Sequence, residues 1–436
     1  MNILIVGGGG REHSLLVQYA KSSKVKKLYS VPGNDLMGFH VRKPVKIYPK
    51  VNATDKESIW KIIKQEKIDL VDVAQDLPLA YGMVNFLESK GIKVFGPTKE
   101  AAEIEWSKEW ARNFMKRHHL PTPKFAVFSI LKQAKDYVRK LPPGSFFVKA
   151  SGLAAGKGAI KAESKKEVLK VIDKMKDFGE AGEKFLIEEC LIGEEVSIYA
   201  LSDGEHFKIL KTAQDNKALY NFDEGSNTGG MGANAPALVS SDREIKKKIE
   251  AIVRKTIDGM KKEGRPYKGV LYLGLIIDKK KRPKIIEFNA RWGDPEAQTI
   301  LPGIKNDYLN IILACIEGKL DKLKIYEDSK TRVCVVGAGR GYPEDFSRVR
   351  GREIVGLEEA EKLNGVSIFG AGVKRINKKF FVSGGRVINV VGEGGDIFEA
   401  RKRAYQAISL INIEGNNMHF RTDIGWRDVE RKVKYD

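Results

Sequence analysis

The N-terminal stretch MNILIVGGGGREHSLLVQYA, residues 1–20, decides the fold class of this chain. Asn2–Val6 is an apolar run that predicts a buried strand, and a glycine turn and a helical pattern over Glu12–Ser22 follow it directly. A strand, a tight turn and a helix in this order are typical of a parallel α/β sheet. The same alternation continues to about residue 105 and predicts these further elements: strands Lys27–Val31, Ile68–Val73 and Lys93–Phe95, and helices Lys56–Gln65 and Gly82–Lys90.

Beyond this point strands and helices no longer alternate regularly, which indicates a second kind of domain. A helix is predicted over Ser107–His118, and the stretch Leu120–Pro123 marks a boundary after it. A last segment begins near Lys330. The other predicted elements are strands Ser145–Lys149, Gly158–Lys161, Lys184–Cys190, Thr331–Gly337, Phe380–Val382 and Arg386–Val391, sheet-rich regions Glu194–Ala213 and Gly269–Asn289, and helices Lys165–Lys176, Asp242–Lys262 and Asp396–Leu410.

The composition is globular, with an excess of basic residues. The 436 residues include 77 Lys and Arg against 57 Asp and Glu, which gives a formal net charge of +20. Three interpretations of this charge are open: a solvated lysine-rich surface, attraction of anionic small molecules, or nucleic-acid binding. The basic residues are dispersed and form no recognisable nucleic-acid motif, which favours the solvated surface.

Cysteine usage and hydropathy limit the cellular context. The three cysteines, Cys190, Cys315 and Cys334, are far apart in the sequence. Their spacing excludes a disulfide scaffold and a cysteine zinc site, and it predicts a cytoplasmic protein. No stretch approaches the roughly 18 apolar residues of a membrane helix, and we expect no signal peptide at the N-terminus.

Three glycine clusters are candidate binding loops. Gly7–Gly10 lacks the third glycine of a dinucleotide fingerprint, because Glu12 stands in its place, so the cluster predicts a phosphate or small-anion site or simply a tight turn. Gly152–Gly158 has the wrong spacing for a P-loop; it predicts a flap that closes over phosphates with Lys157 as its charge, or a plain hairpin turn. Gly225–Gly232 offers backbone donors to a closely approaching substrate.

A candidate metal site lies at the end of the strand Lys284–Asn289. Side chains alternate along a strand, so Glu287 and Asn289 point to one face about 6–7 Å apart. A carboxylate and an amide oxygen are hard ligands that suit Mg²⁺ when substrate phosphates complete its shell. Arg291 and Asp294 follow and form either a cationic clamp with an acid or a local surface salt bridge.

These fragments, in their order and spacing, resemble the phosphoribosylamine–glycine ligase family of ATP-grasp enzymes over essentially the whole chain. The stretches that carry the resemblance are Gly9–His13, Pro32–Asn34, Phe95–Pro97, Ser107–Lys108, Lys149, Gly152–Gly158, Glu188–Glu189, Gly193–Glu195, Gln214–Asp215, Asn227–Gly232, Glu287–Glu296, Gly341–Pro343, Ser383–Arg386 and Asp423–Trp426. The resemblance implies a βαβ domain over residues 1–105, an ATP-grasp domain over 106–330 with a smaller part at about 124–192, and a C-terminal α+β domain over 331–436.

The resemblance also implies a reaction and its residues. ATP phosphorylates the carboxylate of glycine, and the amine of 5-phosphoribosylamine attacks the acyl phosphate, so catalysis is mostly positioning and charge neutralisation. The residues implied to bind ATP are Lys108 and Lys149 at its phosphates, Gly156, Lys157 and Gly158 on a closing flap, Glu188, Glu189, Cys190 and Leu191 beside the adenine, and Glu195 at the ribose. Those implied to contact the other substrates are Gly9, Gly10, Arg11, His13, Asn34, Asn227, Thr228, Gly229 and Gly230. Catalytic roles fall to Arg291, Asp294 and Asp215, and Glu287 and Asn289 would bind Mg²⁺ or Mn²⁺. A monomer with no nucleic-acid or membrane partner is expected.

Several positions depart from the family pattern. Ala74, Gln75 and Asp76 replace Gly-Pro-Glu, and three further departures from the usual motifs are Asn216, Ala218 and Ser226. Two alternatives to the main interpretation therefore stay open. One is a ligase paralogue with a changed acid or amine, and the other is a non-catalytic nucleotide-binding relative.

Overall fold

The N-terminal region forms a five-stranded parallel sheet, as predicted. The structure is a computed structural model and describes residues 1–39, 41–154 and 158–435. The strand order is β3-β2-β1-β4-β5, with strands β1 (Asn2–Gly7), β2 (Lys27–Pro32), β3 (Val45–Ile47), β4 (Leu70–Val73) and β5 (Lys93–Phe95). The helices of this region are α1 (Gly10–Ala20), α2 (Lys56–Glu66), α3 (Asp76–Ala80), α4 (Met83–Ser89) and α5 (Lys99–Trp106). The α/β fold class is thereby confirmed.

Two boundaries in this region differ from prediction for local reasons. Helix α1 begins at Gly10, two residues early, because the Glu12 carboxylate accepts a hydrogen bond from the Gly9 amide at 2.6 Å and closes the first turn. Strand β4 begins at Leu70 and not at Ile68, because the Ile68 amide donates to the Ile63 carbonyl and completes the end of α2.

The middle region contains two antiparallel four-stranded sheets. The first has the order β6-β9-β7-β8 and contains strands β6 (Phe125–Phe128), β7 (Phe146–Ala150), β8 (Ala159–Ala162) and β9 (Phe185–Glu189). Helix α6 (Lys108–Arg117) precedes this sheet, and α7 (Leu131–Lys140) and α8 (Lys165–Lys174) lie between its strands in the sequence. Residues 190–193 connect β9 to the second sheet, so the two sheets meet at this segment.

The second sheet has the order β11-β10-β14-β15. Its strands are β10 (Glu194–Asp203), β11 (Phe207–Ile209), β14 (Lys268–Ile277) and β15 (Pro283–Asn289). Between them the chain forms β12 (Gln214–Asp215), β13 (Gly232–Ala235) and α9 (Arg243–Lys262), and α10 (Ala297–Ile300) and α11 (Tyr308–Ile316) follow. Six apolar side chains of α9 are buried in one core cluster with residues of this sheet, which is why the long predicted helix forms here.

The C-terminal region contains a larger sheet of order β12-β13-β16-β21-β18, with one more strand paired to β16, and a four-stranded sheet of order β19-β20-β17-β22. Its strands are β16 (Thr331–Gly339), β17 (Glu353–Val355), β18 (Val366–Gly370), β19 (Val373–Ile376), β20 (Lys379–Val382), β21 (Arg386–Gly394), β22 (Asn412–Ile413) and β23 (Met418–His419). Its helices are α12 (Leu357–Glu361), α13 (Ile397–Ile408) and α14 (Trp426–Tyr435). Strands β12 and β13 of the middle segment therefore complete a C-terminal sheet. In the part of the chain that the structure describes, no helix is long and apolar enough to cross a membrane.

Candidate active site

A cleft lies between the two middle sheets, and residues of the N-terminal region complete its lining. Its cavity volume is about 250 Å³. Predicted residues that line it are Lys108, Lys149, Gly158, Glu188, Asp215, Asn227, Thr228, Gly229, Glu287, Asn289, Arg291 and Asp294. Tertiary structure thus gathers side chains that are up to about two hundred residues apart in sequence.

The two predicted phosphate lysines stand at one end of the cleft. The Lys149 ammonium lies 2.8 Å from a Glu188 carboxylate oxygen. The Lys108 ammonium donates to the Gly152 carbonyl at 3.4 Å. Burial lowers the pKa of Lys108, and the positive charge of Lys149 lowers it further. The Glu287 carboxylate acts in the opposite direction and offsets part of this decrease. A phosphate group would relieve the repulsion between the two ammonium groups.

Glu287 and Asn289 both line the cleft, as a metal site requires. Burial alone would raise the pKa of Glu287, but Lys217 and Lys149 outweigh it and lower this pKa to about 2, so the carboxylate is ionised at neutral pH. The described residues contain no group of three or more His, Cys, Asp or Glu side chains arranged around one point. The donor set therefore fits a hard cation that takes its remaining ligands from water and phosphate.

Lys217 joins this site although the sequence analysis did not select it. Its ammonium lies 3.1 Å from Glu287 and 3.5 Å from Glu195. Burial would lower the pKa of Lys217, but these two carboxylates raise it well above its ordinary value. Asp215 and Lys217 both line the cleft, whereas the intervening Asn216 donates to the Gly232 carbonyl, so strand-like alternation was the signal that could have found Lys217.

Asp215, Asp294 and Glu296 form an acidic part of the cleft lining, which we call the acidic end. Asp215 has one buried carboxylate oxygen without a hydrogen-bond partner. Burial raises the pKa of Asp215 well above its ordinary value, and the negative charge of Glu296 raises it further. Burial would also raise the pKa of Asp294, but the Arg386 and Arg11 charges lower it. One carboxylate with a raised pKa and one with a lowered pKa therefore lie close together, as acid–base chemistry or recognition of an amine requires.

Arg291 stands beside this acidic end and is held by the N-terminal region. Its guanidinium lies 2.8 Å from a Glu105 carboxylate oxygen, and the other oxygen of Glu105 accepts the Ala290 amide at 2.7 Å. Asp76 also lines the cleft and raises the pKa of Arg291 together with Glu105, against the opposing effect of burial. Sequence reasoning missed Glu105, since a glutamate near a helix end has no distinctive pattern.

The third glycine cluster is held over the cleft by the C-terminal region. The Arg386 guanidinium donates to the carbonyls of Gly229 and Asp294, both at 2.6 Å. The Gly229 amide donates to the Tyr342 hydroxyl at 3.0 Å. Gly230 is not among the residues that line the cleft, but it has φ +109° and its amide donates to the Thr228 hydroxyl. The loop is therefore a fixed wall of the cleft.

The N-terminal glycines lie behind this wall. A side chain at Gly9 would come within 3.2 Å of the Asp294 carboxylate, and one at Gly10 would collide with Asn389 and Gln298. Arg11 donates to the Trp292 carbonyl at 2.9 Å. The first cluster thus approaches the acidic end through backbone atoms.

His13 and Asn34 use their polar atoms within the protein. His13 accepts the Gly370 amide at 2.9 Å, and burial lowers its pKa to about 3, so the ring is neutral. Asn34 donates to the carbonyls of Gly8 and Gly370, both at 2.8 Å. These two side chains join the N- and C-terminal regions, and their substrate contact stays a prediction.

The predicted adenine segment lies at the junction of the two middle sheets. Glu188 faces the cleft, whereas Glu189 pairs with Lys284 at 3.2 Å. The Glu188 backbone pairs in the sheet with both Phe125 and Phe147. Cys190 and Leu191 follow on the connecting segment, and Glu195 is the second residue of β10. Gly156 and Lys157 lie outside the described residues.

Most departures from the family pattern lie away from the cleft. Ala218 is buried and its carbonyl accepts a hydrogen bond from Arg421. Ser226 pairs with Glu344 at 3.1 Å. Among the six departing residues, only Asp76 lines the cleft.

A cleft between two antiparallel sheets that is lined by buried lysines and carboxylates is typical of an ATP-grasp enzyme that activates a carboxylate. Comparisons with known proteins agree with this class. Three family descriptions match the chain: "Phosphoribosylglycinamide synthetase, N domain" over residues 1–105, its "ATP-grasp (A) domain" over 106–297 and its "C domain" over 332–427. The chain therefore belongs to the phosphoribosylglycinamide synthetase family.

Individual relatives resemble the chain over its full length. It is 41% identical to the phosphoribosylamine–glycine ligase of Caldanaerobacter subterraneus subsp. tengcongensis, over 97% of this chain and 99% of the relative. It is 40% identical to the Salmonella typhimurium ligase, over 99% of this chain and 100% of the relative. The crystal structure of the Thermotoga maritima ligase superposes with a TM-score of 0.81 at 32% identity, covering 98% of this chain and 100% of that one.

Proposed function

We propose that this protein joins glycine to 5-phosphoribosylamine with ATP, giving glycinamide ribonucleotide, ADP and phosphate. The observation that carries the proposal is the arrangement of the cleft. Lys108, Lys149 and Glu287 line the same cleft as Arg291 and Asp215. The γ-phosphate of ATP and a carboxylate acceptor can therefore meet within this cleft.

The roles follow from charge and position. Lys108 and Lys149 bind the phosphates, while Arg291 neutralises the acyl phosphate that forms on glycine. The unpartnered Asp215 oxygen accepts a proton from an amine at the acidic end. Glu287 and Asn289 would hold Mg²⁺ or Mn²⁺, which when bound would neutralise charge on the ATP phosphates.

The remaining parts of the proposal concern adenosine and the cell. The segment from Glu188 to Leu191 lies beside the adenine and Glu195 beside the ribose, and Gly158 lies near the phosphates. Gly9, Gly10, Arg11, His13 and Asn34 serve the phosphoribosyl side. We also propose a cytoplasmic monomer without a nucleic-acid partner.

The experiment that tests the function is an ADP-release assay. The protein receives ATP, Mg²⁺, glycine and phosphoribosylamine generated in situ, and each component is omitted in turn. We expect ADP release only when both glycine and the amine are present. Release with a different acid or amine, but not with these, would favour the paralogue, to which the cleft-lining Asp76 points. Tight ATP binding without any release would favour the non-catalytic relative.

Glu287→Gln tests the metal site. Removing one carboxylate charge from the ligand set should cut the rate at limiting Mg²⁺ by at least about tenfold, with partial recovery at high Mg²⁺. Initial rates across a Mg²⁺ titration measure this. Glu205→Gln, which alters a carboxylate paired with Lys261 outside the cleft, is the control. An unchanged rate at limiting Mg²⁺ would contradict the assignment.

A further inference from the structure

Arg112 on α6 is a buried arginine whose hydrogen-bonding capacity is used entirely within the protein. Its Nε donates to a Glu188 carboxylate oxygen at 2.5 Å, and Nη2 donates to the other oxygen at 2.8 Å and to the Ile286 carbonyl at 2.7 Å. Nη1 donates to the Ile285 carbonyl at 3.3 Å and to the Met115 sulfur at 3.4 Å. An arginine has five N–H donors, and all five are taken. Arg112 therefore has no donor left for a substrate.

One of these contacts leads to the predicted phosphate lysine. The Glu188 oxygen that accepts from Nη2 also lies 2.8 Å from the Lys149 ammonium. The Arg112 and Glu188 side chains are only 3% and 2% exposed, so their bidentate pair is well shielded from water. Lys149 is thus bound by the Glu188 carboxylate, and the Arg112 guanidinium on helix α6 holds that carboxylate in place.

The other contact leads to the predicted metal ligand. Ile286 is the extra residue of a β-bulge in β15, because Glu287 pairs with Gly274 and Ile285 pairs with Leu275. A bulge changes the direction of the side chains next to it. Nη2 of Arg112 binds the Ile286 carbonyl, immediately before Glu287, and Lys149 approaches the same carbonyl at 3.4 Å. The bulge that aims Glu287 into the cleft is therefore fastened by the same guanidinium.

We propose that Arg112 is a positioning residue that holds Lys149, through Glu188, and Glu287, through the Ile286 bulge, in the geometry that binds a metal–nucleotide. This inference rests on the proposed function only for the roles of Lys149 and Glu287. It adds a residue that lines the cleft, has no N–H left to donate to a nucleotide, and sets the distance between the groups that bind nucleotide and metal. A guanidinium suits this task because its planar fork binds several acceptors in fixed directions.

The test compares ADP binding by calorimetry, with and without Mg²⁺, in the intact protein and three variants. Arg112→Gln removes the fork, and Arg112→Lys retains the charge. Arg117→Gln is the matched control, because Arg117 lies on the same helix and makes a bidentate pair with Glu263 at 2.9 and 2.8 Å on the surface. Melting temperatures establish that each variant is folded.

We expect Arg112→Gln to weaken ADP binding roughly 10- to 100-fold and to reduce the additional affinity that Mg²⁺ confers. Arg112→Lys should recover binding to within about two- to fivefold of the unaltered protein, since one ammonium replaces Nη2 but not Nε. Arg117→Gln should bind ADP normally. A folded Arg112→Gln protein with unaltered ADP affinity and an unaltered Mg²⁺ effect would overturn the proposal.

Two further outcomes are also decisive. If Arg112→Gln does not fold, Arg112→Lys is the test, and the complete absence of any loss in ADP affinity would overturn the proposal. A purely structural role would lower the melting temperature of the variant and leave ADP affinity unchanged. Failure of the unaltered protein to release ADP with glycine and phosphoribosylamine would refute the proposed function alone, since ADP binding still reports on Arg112.

Discussion

Individual side chains decide how charge is distributed in the cleft. Glu105 shows this most clearly, because one carboxylate binds both the Arg291 guanidinium and the Ala290 amide next to it. The guanidinium is thereby tied to its own backbone. A charge held in this way needs little rearrangement when a transition state forms.

Glu105→Gln should lower kcat by roughly 10- to 100-fold, because a less firmly placed Arg291 stabilises the acyl phosphate less well. The KM for ATP should change less than kcat, since Glu105 binds Arg291 and the Ala290 amide directly and acts on Lys108 only through its charge. Steady-state kinetics with ATP and glycine varied separately measure this. Glu103→Gln, on the same helix and paired with Arg265 outside the cleft, should be unaffected. A rise confined to the KM for ATP would contradict the role.

Asp72 gives a second prediction at this scale, for stability and not for activity. It is buried in the parallel sheet and accepts a hydrogen bond from the Tyr19 hydroxyl at 2.8 Å. Burial raises its pKa to about 7, and the Tyr19 hydrogen bond opposes this only partly. An unfolded aspartate has a pKa near 3.9, so the folded protein holds the proton more tightly.

The contribution of Asp72 to the free energy of unfolding should therefore be at its maximum below about pH 4. It should decrease as the pH rises to about 7 and stay constant at higher pH. Asp72→Asn keeps an acceptor for Tyr19 and cannot ionise. Its melting temperature should exceed that of the unaltered protein at pH 8 and match it near pH 4.5. Asp69→Asn, at an exposed position that accepts the Asn2 amide, is the control. An equal difference at both pH values would refute the prediction.

At the scale of elements, the glycine cluster over the cleft depends on backbone conformation. Gly230 has φ +109°, and a Cβ atom there would lie 2.5 Å from the Pro295 ring and 2.9 Å from an Asp215 oxygen. The position is thus restricted by conformation and by contact with a catalytic candidate. The sequence predicted a loop approached by a substrate, and the structure adds a close approach by Asp215.

Gly230→Ala should lose most activity, because the added methyl group displaces Asp215 or Pro295. It should also destabilise the protein by about 1–3 kcal/mol through backbone strain. Gly264→Ala separates the two effects, since Gly264 has φ +72° and no atom within 4 Å of an added Cβ. We expect this control to share the loss of melting temperature and to retain activity. Equal activity of both variants would contradict the contact argument.

Element prediction succeeded where the hydrophobic pattern is periodic. The five-stranded parallel sheet has four strands that were predicted and one, β3, that was not, because three half-exposed residues carry too little pattern. The two-residue strand β12 was missed for the same reason. Helix α9 was predicted to within one residue, since its apolar stripe and its Asp242 cap are both visible in the sequence.

The whole molecule is joined by buried ion pairs between its regions. Arg332 at the start of β16 is 3% exposed, and its Nη2 lies 2.5 Å from Asp328 and 2.8 Å from Glu393. Lys211 of the middle region lies 3.1 Å from the same Asp328. This network connects the middle region to the C-terminal sheet.

Arg332→Met should destabilise the protein by about 3–5 kcal/mol, because it leaves two partly buried carboxylates without their main partner. Thermal or denaturant unfolding measures this, and the loss should persist at 0.5 M salt since buried pairs are weakly screened. Arg139→Met, which removes an exposed pair with Asp136, should change stability by less than about 1 kcal/mol. Similar losses in both variants would contradict the argument from burial.

The sequence by itself determined the α/β class, the strongly periodic elements, the order of the motifs and the family resemblance, because each of these depends on residues that are neighbours along the chain. Only the tertiary structure decided which charges meet. Arg112 and Glu105 have no distinctive local pattern, and the alternation that marks Lys217 does not show what it pairs with. The partners of Arg112, Glu105 and Lys217 lie 76, 186 and 70 residues away. Ion pairing depends on distance through space, and the fold, not the local sequence, determines that distance.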